Sequence, residues 1–347
     1  MPAVVPPARA LVTGANGFIA VWVVHTLLER GYFVRGTIRS ESKGVYLKKL
    51  FEQYGDKFEC VVVEDITKEG AFDEAVKDID IIEHTASPVP FNTDKPDEVI
   101  IPAIKGTVGI LESAKKYGKS VRRVIVTGSC ASVVHAGYTT PVTYDETSWN
   151  EPVIVNVQQK GVNDTTSIYM ASKTLAEKAA WEYVKNNASE INYDLTVLNP
   201  PWVLGPVLQE VTDLSSLNVS MQYAYDILVK GTMDETMLTT NSNCWVDVRD
   251  VGLAHVLAAE KPSAGGERII LCAGQFFWQD FLDAANSIEP PILPNLPKGK
   301  PGATKGLPPD IVYITSKSDR ILGLSYRSAE EMIRDTLINF KKLGAGV

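Results

Sequence analysis

Tyr169 and Lys173 lie four residues apart in Ser167-Ile168-Tyr169-Met170-Ala171-Ser172-Lys173. On a helix, positions i and i+4 share a face. An ammonium beside a phenol favours the phenolate. A tyrosine tuned in that way can hand a proton to a developing alkoxide near neutral pH. Such a spacing often arises by chance. Its weight therefore rests on what else the chain places at the right distances.

The elements that must position the pair begin near the N-terminus. Ala10-Leu11-Val12 is a short apolar run of the kind a buried parallel strand shows. Thr13-Gly14-Ala15-Asn16-Gly17-Phe18-Ile19-Ala20 follows, then a helical pattern through Leu27 and Leu28 that stops at Gly31. That glycine suits the left-handed position past a helix end. A Gly-rich turn between strand and helix exposes N–H groups at a helix N-terminus, where a pyrophosphate binds. Gly14 permits the tight turn, Gly17 lets a phosphate approach, and Ala20 stands where the fingerprint has its third glycine. Thr13, Asn16, Phe18 and Ile19 complete this set of candidates.

Phe33-Val34-Arg35-Gly36-Thr37-Ile38-Arg39 is the second strand candidate, with Lys43 close behind. An NAD site places an acidic residue at this point to bond the ribose 2′-hydroxyl. Here the position is basic, and a guanidinium grips a phosphate in a bidentate way. The reading is NADP(H), with Arg39 and Lys43 on the 2′-phosphate.

The βα alternation continues. Strands are expected over 58–63, 79–84, 121–127 and 195–198, with helices over 107–117 and across Tyr169, Lys173 and Trp181. Strands alternating with helices over roughly 200 residues predict an α/β fold, a Rossmann-type doubly wound parallel sheet. Ligands bind such sheets outside the carboxyl ends of the strands. Gly14, Arg39, Asp65, Ala86, Ser129 and Asn199 each follow a strand candidate, so the motifs converge on one crevice. Ile66, Thr85, Ser87, Thr127, Pro200 and Val203 join the cofactor candidates.

With these residues in view, the chain resembles the extended short-chain dehydrogenase/reductases. More narrowly, it is similar to the NADPH-dependent aldehyde and carbonyl reductases of the dihydroflavonol-reductase-like group. The matching pieces are Thr13-Gly14-x-x-Gly17-x-x-Ala20, Arg39, Val126-Thr127-Gly128-Ser129, Tyr169-x-x-x-Lys173 and Leu198-Asn199-Pro200-Pro201-x-Val203-x-Gly205-Pro206. Trp245-Val246-Asp247-Val248-Arg249-Asp250-Val251 and Leu322-Gly323-Leu324-x-Tyr326-Arg327-Ser328 follow, so the likeness spans roughly residues 9–340. It implies that Tyr169 protonates the carbonyl oxygen, that Lys173 holds the nicotinamide ribose and acidifies Tyr169, and that Ser129 bonds the substrate oxygen as a preorganised donor. Hydride comes from the nicotinamide, and no metal is required. Ser132 is the alternative to Ser129. Two departures stand out. Ala103 occupies the position of an asparagine that supports a proton relay in many relatives. Gly128 replaces the first serine of the commoner serine pair, and is expected to loosen the turn.

The resemblance also implies a smaller mixed α/β substrate lobe. The expected division is a tail over 1–8, an NADP-binding domain over 9–200 and 240–262, and the substrate lobe over 201–239 and 263–347. Pocket candidates are Pro88, Val89, Phe91, Ser129, Trp202 and Asn243, with Val203 beside them and Tyr223 and Tyr225 joining from a helix. Their apolar character points to hydrophobic ketones, keto esters or aldehydes. A nucleotide-sugar epimerase or dehydratase would need a cation for a diphosphate, and Arg249 is the candidate. A third reading is a non-catalytic NADP-binding regulator.

Composition fits an enzyme of this size: 347 residues, 45% hydrophobic and 22% charged. A net charge of −8 argues against a nucleic-acid surface. Cys60, Cys130, Cys244 and Cys272 are widely spaced, without metal-ligand pairing. They read as reduced and mostly buried thiols, with Cys130 reachable from the pocket. His84 is placed to bond the cofactor, whereas His25, His135 and His255 read as structural. There is no stretch of eighteen apolar residues for a membrane span, and Met1 to Pro7 lacks the features of a signal peptide. The expectation is a cytosolic monomer or homodimer that engages neither membrane nor nucleic acid.

Overall fold

The computed structural model describes residues 3–87, 93–135, 141–240 and 242–346. Its first half runs β1 (Arg9–Thr13), α1 (Phe18–Glu29), β2 (Phe33–Ile38), α2 (Glu41–Leu50), β3 (Phe58–Val62), β4 (Ile81–His84), α3 (Pro96–Tyr117), β5 (Arg123–Thr127), β6 (Val142–Tyr144), α4 (Glu151–Lys160), α5 (Thr165–Asn186) and β7 (Asp194–Asn199). The second half runs β8 (Trp202–Leu204), α6 (Val219–Leu228), α7 (Glu235–Thr240), β9 (Asn243–Asp247), α8 (Val248–Glu260), β10 (Arg268–Ile270), β11 (Gly274–Phe276), α9 (Trp278–Asn286), β12 (Ile311–Tyr313), α10 (Ser316–Leu322) and α11 (Ala329–Lys342).

Among the described residues, seven strands form one parallel sheet in the order β10-β7-β5-β4-β1-β2-β3. Parallel strands buried on both faces read as continuous apolar runs. The alternation within β1 explains why both faces are covered. Ala10 and Val12 pack with α1 and α8 on one side, while Leu11 packs with α3, Phe72 and Ala180 of α5 on the other. The chain moves outward from β1 through β2 to β3, then crosses back to β4 and proceeds to β5 and β7. The reversal between β1 and β4 is a topological switch point, where such sheets take ligands.

The smaller structures are a sheet of β11-β9-β8 and a parallel pair, β6 with β12. Two placements differ from the sequence expectation. The segment 245–260 was expected to rejoin the nucleotide-binding layer. Its helix α8 does, against α1, but β9 pairs with β8 and β11. Residues 268–270, within the segment expected for the substrate lobe, pair with β7 and form the edge of the large sheet. A three-residue strand carries too little periodicity to reveal its sheet.

Helix α3 begins at Pro96, eleven residues before the expected start at Thr107. Pro96 suits a first helical position, whereas Pro102 inside the helix reads as a break. Packing of α3 along α5 carries the helix through Pro102 despite the lost backbone bond.

At the amino ends of the strands, Arg123 ties three elements together. Its side chain is fully buried and makes a bidentate pair with Asp194 at 2.6 and 2.9 Å. It also donates to the carbonyls of Ala258 at 2.6 Å and Lys261 at 2.7 Å. The sheet is thereby pinned to the end of α8. Removing one partner of a buried pair leaves the other charge uncompensated. Asp194→Ala should therefore destabilise the fold by about 3–5 kcal/mol, measured by urea unfolding. A loss below about 1 kcal/mol would show the pair to be dispensable.

Candidate active site

The phosphate turn has the geometry an anion needs. Gly14 sits at φ +64°, and a Cβ there would stand 3.2 Å from the Ala86 Cβ, so only glycine fits both the turn and the approach of the β4 loop. Gly14 N–H donates to the Thr37 hydroxyl at 3.0 Å, and Ala15 N–H to the Thr37 carbonyl at 2.8 Å, which fixes the turn on β2. Gly17 caps α1 in extended conformation with no side-chain cap and no acidic residue in the first turn. The first-turn N–H groups of Phe18, Ile19 and Ala20 lack intrahelical partners and no carboxylate competes for them. The Phe18 ring is buried in the core, so its contribution here is its backbone.

Thr13 is fully buried, and its hydroxyl serves the fold. It accepts from Thr85 N–H at 3.1 Å and Ala86 N–H at 3.0 Å and meets His84 Nδ1 at 3.0 Å. Thr85 Oγ1 in turn donates to the Thr13 carbonyl at 2.5 Å. Thr13 and Thr85 thus lock the ends of β1 and β4 together, leaving Ala86 and exposed Ser87 at the crevice.

Arg39 and Lys43 are exposed beyond the end of β2. Asp65 follows β3, and its carboxylate is held below the usual range by the Thr67 hydroxyl and N–H, with the Lys68 and Arg39 charges adding. Ile66 beside it is half-buried.

Tyr169 and Lys173 occupy successive turns of α5, with Lys173 Nζ 5.8 Å from the centre of the Tyr169 ring. Asp164 caps this helix, accepting from Ser167 N–H at 2.9 Å, and sets its start one turn before Tyr169. Ser129 follows β5 and is part-exposed. Its Oγ accepts from Ala131 N–H at 3.1 Å, which leaves the hydroxyl proton free to donate elsewhere. Ser132 is fully buried and donates to Glu177 Oε2 at 2.5 Å. Of the two serines, Ser129 is the one open to solvent.

The sequence reading missed what holds Ser129 in place. Glu177, four residues past Lys173 on the same face of α5, is 3% exposed. It pairs with Arg268 of β10 at 2.6 Å and accepts from Asn199 Nδ2 at 2.9 Å. Arg268 also donates to the carbonyls of Ser148 at 2.5 Å, Glu146 at 3.0 Å and Ser132 at 3.2 Å, and stacks 3.8 Å from the Trp149 ring centre. Asn199 donates to the Ser129 carbonyl at 3.2 Å. The available signal was a glutamate continuing the i, i+4 series from Tyr169 and Lys173. Gly128 does not loosen this turn. Its N–H donates to the Leu198 carbonyl at 2.8 Å, and a Cβ would stand 2.6 Å from the Asn199 amide. The glycine is what lets Asn199 close in.

A second buried chain ends in the crevice. The Thr127 hydroxyl meets His255 Nε2 at 3.0 Å, and His255 Nδ1 meets Glu83 Oε2 at 2.7 Å. His255 and Glu83 are both fully buried, so the expected structural role of His255 is its observed one. Burial pushes the Glu83 carboxyl up, opposed by His255.

Of the pocket candidates, Pro88, Val89 and Phe91 lie outside the described residues. Trp202 is half-buried, edge-on to Tyr223 at 5.6 Å and to Trp278 at 5.9 Å. Tyr223 is 50% exposed, and Asn243, half-buried, opens β9. Pro200 and Val203 are buried behind the crevice. The Pro200 carbonyl accepts from Cys130 N–H at 2.9 Å, and the Val203 carbonyl from the Ser220 hydroxyl at 2.8 Å. Tyr225 is not in a pocket. It packs in the core against Phe340 at 5.3 Å. Cys130 also turns away from the crevice, buried, with its thiol on the Asn199 carbonyl at 3.2 Å. Both side chains sit next to or two residues from an outward-facing neighbour, and only packing separates their directions.

The chain as a whole is similar to known proteins. Ketoreductase azaE of Aspergillus niger is 38% identical over 335 residues, covering 95% of this chain and 96% of that protein. NADPH-dependent methylglyoxal reductase GRE2 of Saccharomyces cerevisiae is 38% identical over 340 residues, covering 94% and 96%. The crystal structure of yeast methylglyoxal/isovaleraldehyde reductase Gre2 complexed with NADPH superposes with a TM-score of 0.86 at 35% identity, covering 98% of this chain and 100% of that one. Residues 10–274 match the NAD dependent epimerase/dehydratase family. With a match over most of its length, the chain belongs to that family, within the extended short-chain dehydrogenase/reductases.

Proposed function

We propose that the chain reduces a small hydrophobic carbonyl compound to the alcohol with NADPH, and that Tyr169 gives the proton. The observation that supports this reading is that Lys173, with its ammonium 5.8 Å from the Tyr169 ring centre, lines a cleft with Ala86, Ser87, Thr127 and Gly128 at the carboxyl ends of β4 and β5, where Ser129 follows Gly128. The relatives named above, both reductases, support it.

The residues present fit the cofactor. The uncapped start of α1 suits a pyrophosphate, and Arg39 and Lys43 suit a 2′-phosphate where an NAD site would carry an acid. Bound there, NADPH supplies the hydride. Lys173 is placed for the ribose hydroxyls. Ser129 directs its free hydroxyl proton at the substrate oxygen, and Tyr169 protonates that oxygen as charge develops on it. Glu177, through Arg268 and Asn199, keeps the Ser129 loop where the hydroxyl can serve.

The aromatic group of Trp202, Tyr223 and Trp278 favours an apolar carbonyl compound. The epimerase reading needs Arg249 for a diphosphate, yet Asp247 at 2.7 Å and Asp335 at 2.6 Å already hold that guanidinium. The regulator reading predicts a lost catalytic group, whereas Tyr169, Lys173 and Ser129 are all present. We place the enzyme in the cytosol, as a monomer or homodimer. Among the described residues no helix is long and apolar enough to cross a membrane.

Loss of NADPH absorbance with aryl ketones, keto esters and aldehydes tests the activity. If NADPH binds and no carbonyl compound is reduced, the regulator reading takes its place. Tyr169→Phe should lower turnover at least about 100-fold while NADPH affinity, read by fluorescence titration, stays within about twofold. Near-normal turnover would remove Tyr169 from the role of acid. Arg39→Glu should weaken NADPH by about tenfold to 100-fold, the worth of charge-assisted bonds to phosphate, with little effect on NADH. Equal losses for both would rule out a 2′-phosphate contact.

A further inference from the structure

Three of the four cysteines lie in one buried cluster that the reaction does not use. Cys130 follows β5, Cys244 is the second residue of β9, and Cys272 stands two residues past β10. They pack with Val133, Tyr144, Ile270 and Tyr313. Each thiol meets a carbonyl: Cys130 that of Asn199 at 3.2 Å, Cys244 that of Ile311 at 3.6 Å and Cys272 that of Gly274 at 3.5 Å.

Within the cluster, Cys244 and Cys272 form a pair. Ala273 N–H donates to the Trp245 carbonyl at 2.9 Å, so the residue after Cys272 lies against the residue after Cys244. The Cys272 sulfur accepts from Trp245 N–H and from the Cys244 thiol. The Cys244 hydrogen bond holds Cys272 below the usual thiol range, and the same bond and burial push Cys244 up. Such a pair offers one sulfur that ionises and one that keeps its proton. Cys130 is engaged elsewhere, by the Tyr313 hydroxyl and the Asn199 carbonyl.

The cover over the cluster is thin. Tyr144 comes from β6 and Tyr313 from β12, with their rings 6.3 Å apart. Among the described residues these two strands pair only with each other, over three residues each. A two-stranded unit of this length is marginal by itself, and it opens at lower cost than the sheets it rests on.

We propose that Cys244 and Cys272 are a dithiol site for hydrogen peroxide, which closes them into a disulfide joining β9 to the end of β10. When the β6–β12 pair opens, the Cys272 thiolate attacks one peroxide oxygen. The O–O bond breaks, Cys272 becomes a sulfenic acid, and hydroxide leaves and takes up a proton as water. The Cys244 sulfur then attacks the Cys272 sulfur, the S–O bond breaks, and a second water leaves with the Cys244 proton. Two thiols thus give two electrons to one peroxide. The joined segments already share a backbone hydrogen bond, so the cross-link keeps their geometry and acts as a lock by restricting the unfolded chain between them. The site does not depend on the reductase reading.

Peptide mapping tests this. The reduced protein is treated with a small excess of hydrogen peroxide, its remaining thiols are alkylated, and its peptides are analysed by mass spectrometry without reduction. The expected product is a Cys244–Cys272 cross-link, with the melting temperature raised by about 3–8 °C. Dithiothreitol should reverse both. Cys272→Ala should show neither, whereas Cys60→Ala and Cys130→Ala should keep both. Oxidation confined to Cys60, the half-exposed thiol of β3, overturns the proposal, as does a cross-link through Cys130. A Cys244–Cys272 cross-link that leaves the melting temperature unchanged overturns the lock. The wild-type map decides the site even where a variant does not fold.

Discussion

The buried pair between Glu177 and Arg268 holds the active-site end of the molecule together. Moving two charges out of water is costly, and their attraction offsets the cost only when their remaining hydrogen-bonding groups are also met. That condition is satisfied here. Arg268 distributes its donors over Glu177, Ser132 and the carbonyls of Glu146 and Ser148, and rests its flat face on Trp149. Glu177 belongs to the helix of Tyr169 and Lys173, Arg268 to the edge strand, and Ser132 to the loop of Ser129. One interaction therefore ties together the elements that carry Tyr169, Lys173 and Ser129. Unsatisfied, it would be worse than an apolar contact, which ties the site's geometry to complete assembly of the sheet.

The same logic recurs at the other end of the strands, where Arg123 and Asp194 join the sheet to α8. Between the two arginines, the strands β1, β4 and β5 are buried on both faces and carry almost no polar side chain except at their carboxyl ends. Thr13, Glu83, His84 and Thr127 are those exceptions. A parallel sheet concentrates its uncovered backbone there, so polar side chains at strand ends can serve the fold and the crevice at once. Thr13 and Thr127 do the first, through His84 and His255.

Much of this was legible in the chain. Periodicity located six of the seven strands of the large sheet to within a few residues, because a strand buried on both faces has little choice but to be continuously apolar. The glycine turn, Arg39, Ser129, Tyr169 and Lys173 could be named as candidates because their signals are local: a φ, a charge after a strand, a spacing on one helix. The misses are of another kind. Pro102 concealed the first half of α3, since helix stability there comes from packing on α5 and not from the segment itself. Tyr225 and Cys130 were drawn toward the pocket by neighbours in sequence, yet each points into the core. Gly128 read as slack and is instead the space that Asn199 fills.

The sequence by itself determined the fold class and the family likeness, and it named the residues proposed as acid, lysine and serine. These follow from patterns that need only one element or one turn to be read. Only the tertiary structure decided which of Ser129 and Ser132 is buried, which cations remain available and what braces the Ser129 loop. Arg249 and Arg268 are both arginines in plausible places. One is held by Asp247 and Asp335 and the other by Glu177, whereas Arg39 stays exposed. Those pairings join residues 2, 86 and 91 positions apart, and the longer of them exist only once the sheet has closed the distance. The physical reason is that a charged side chain takes its role from its partners, and partners are assigned by packing.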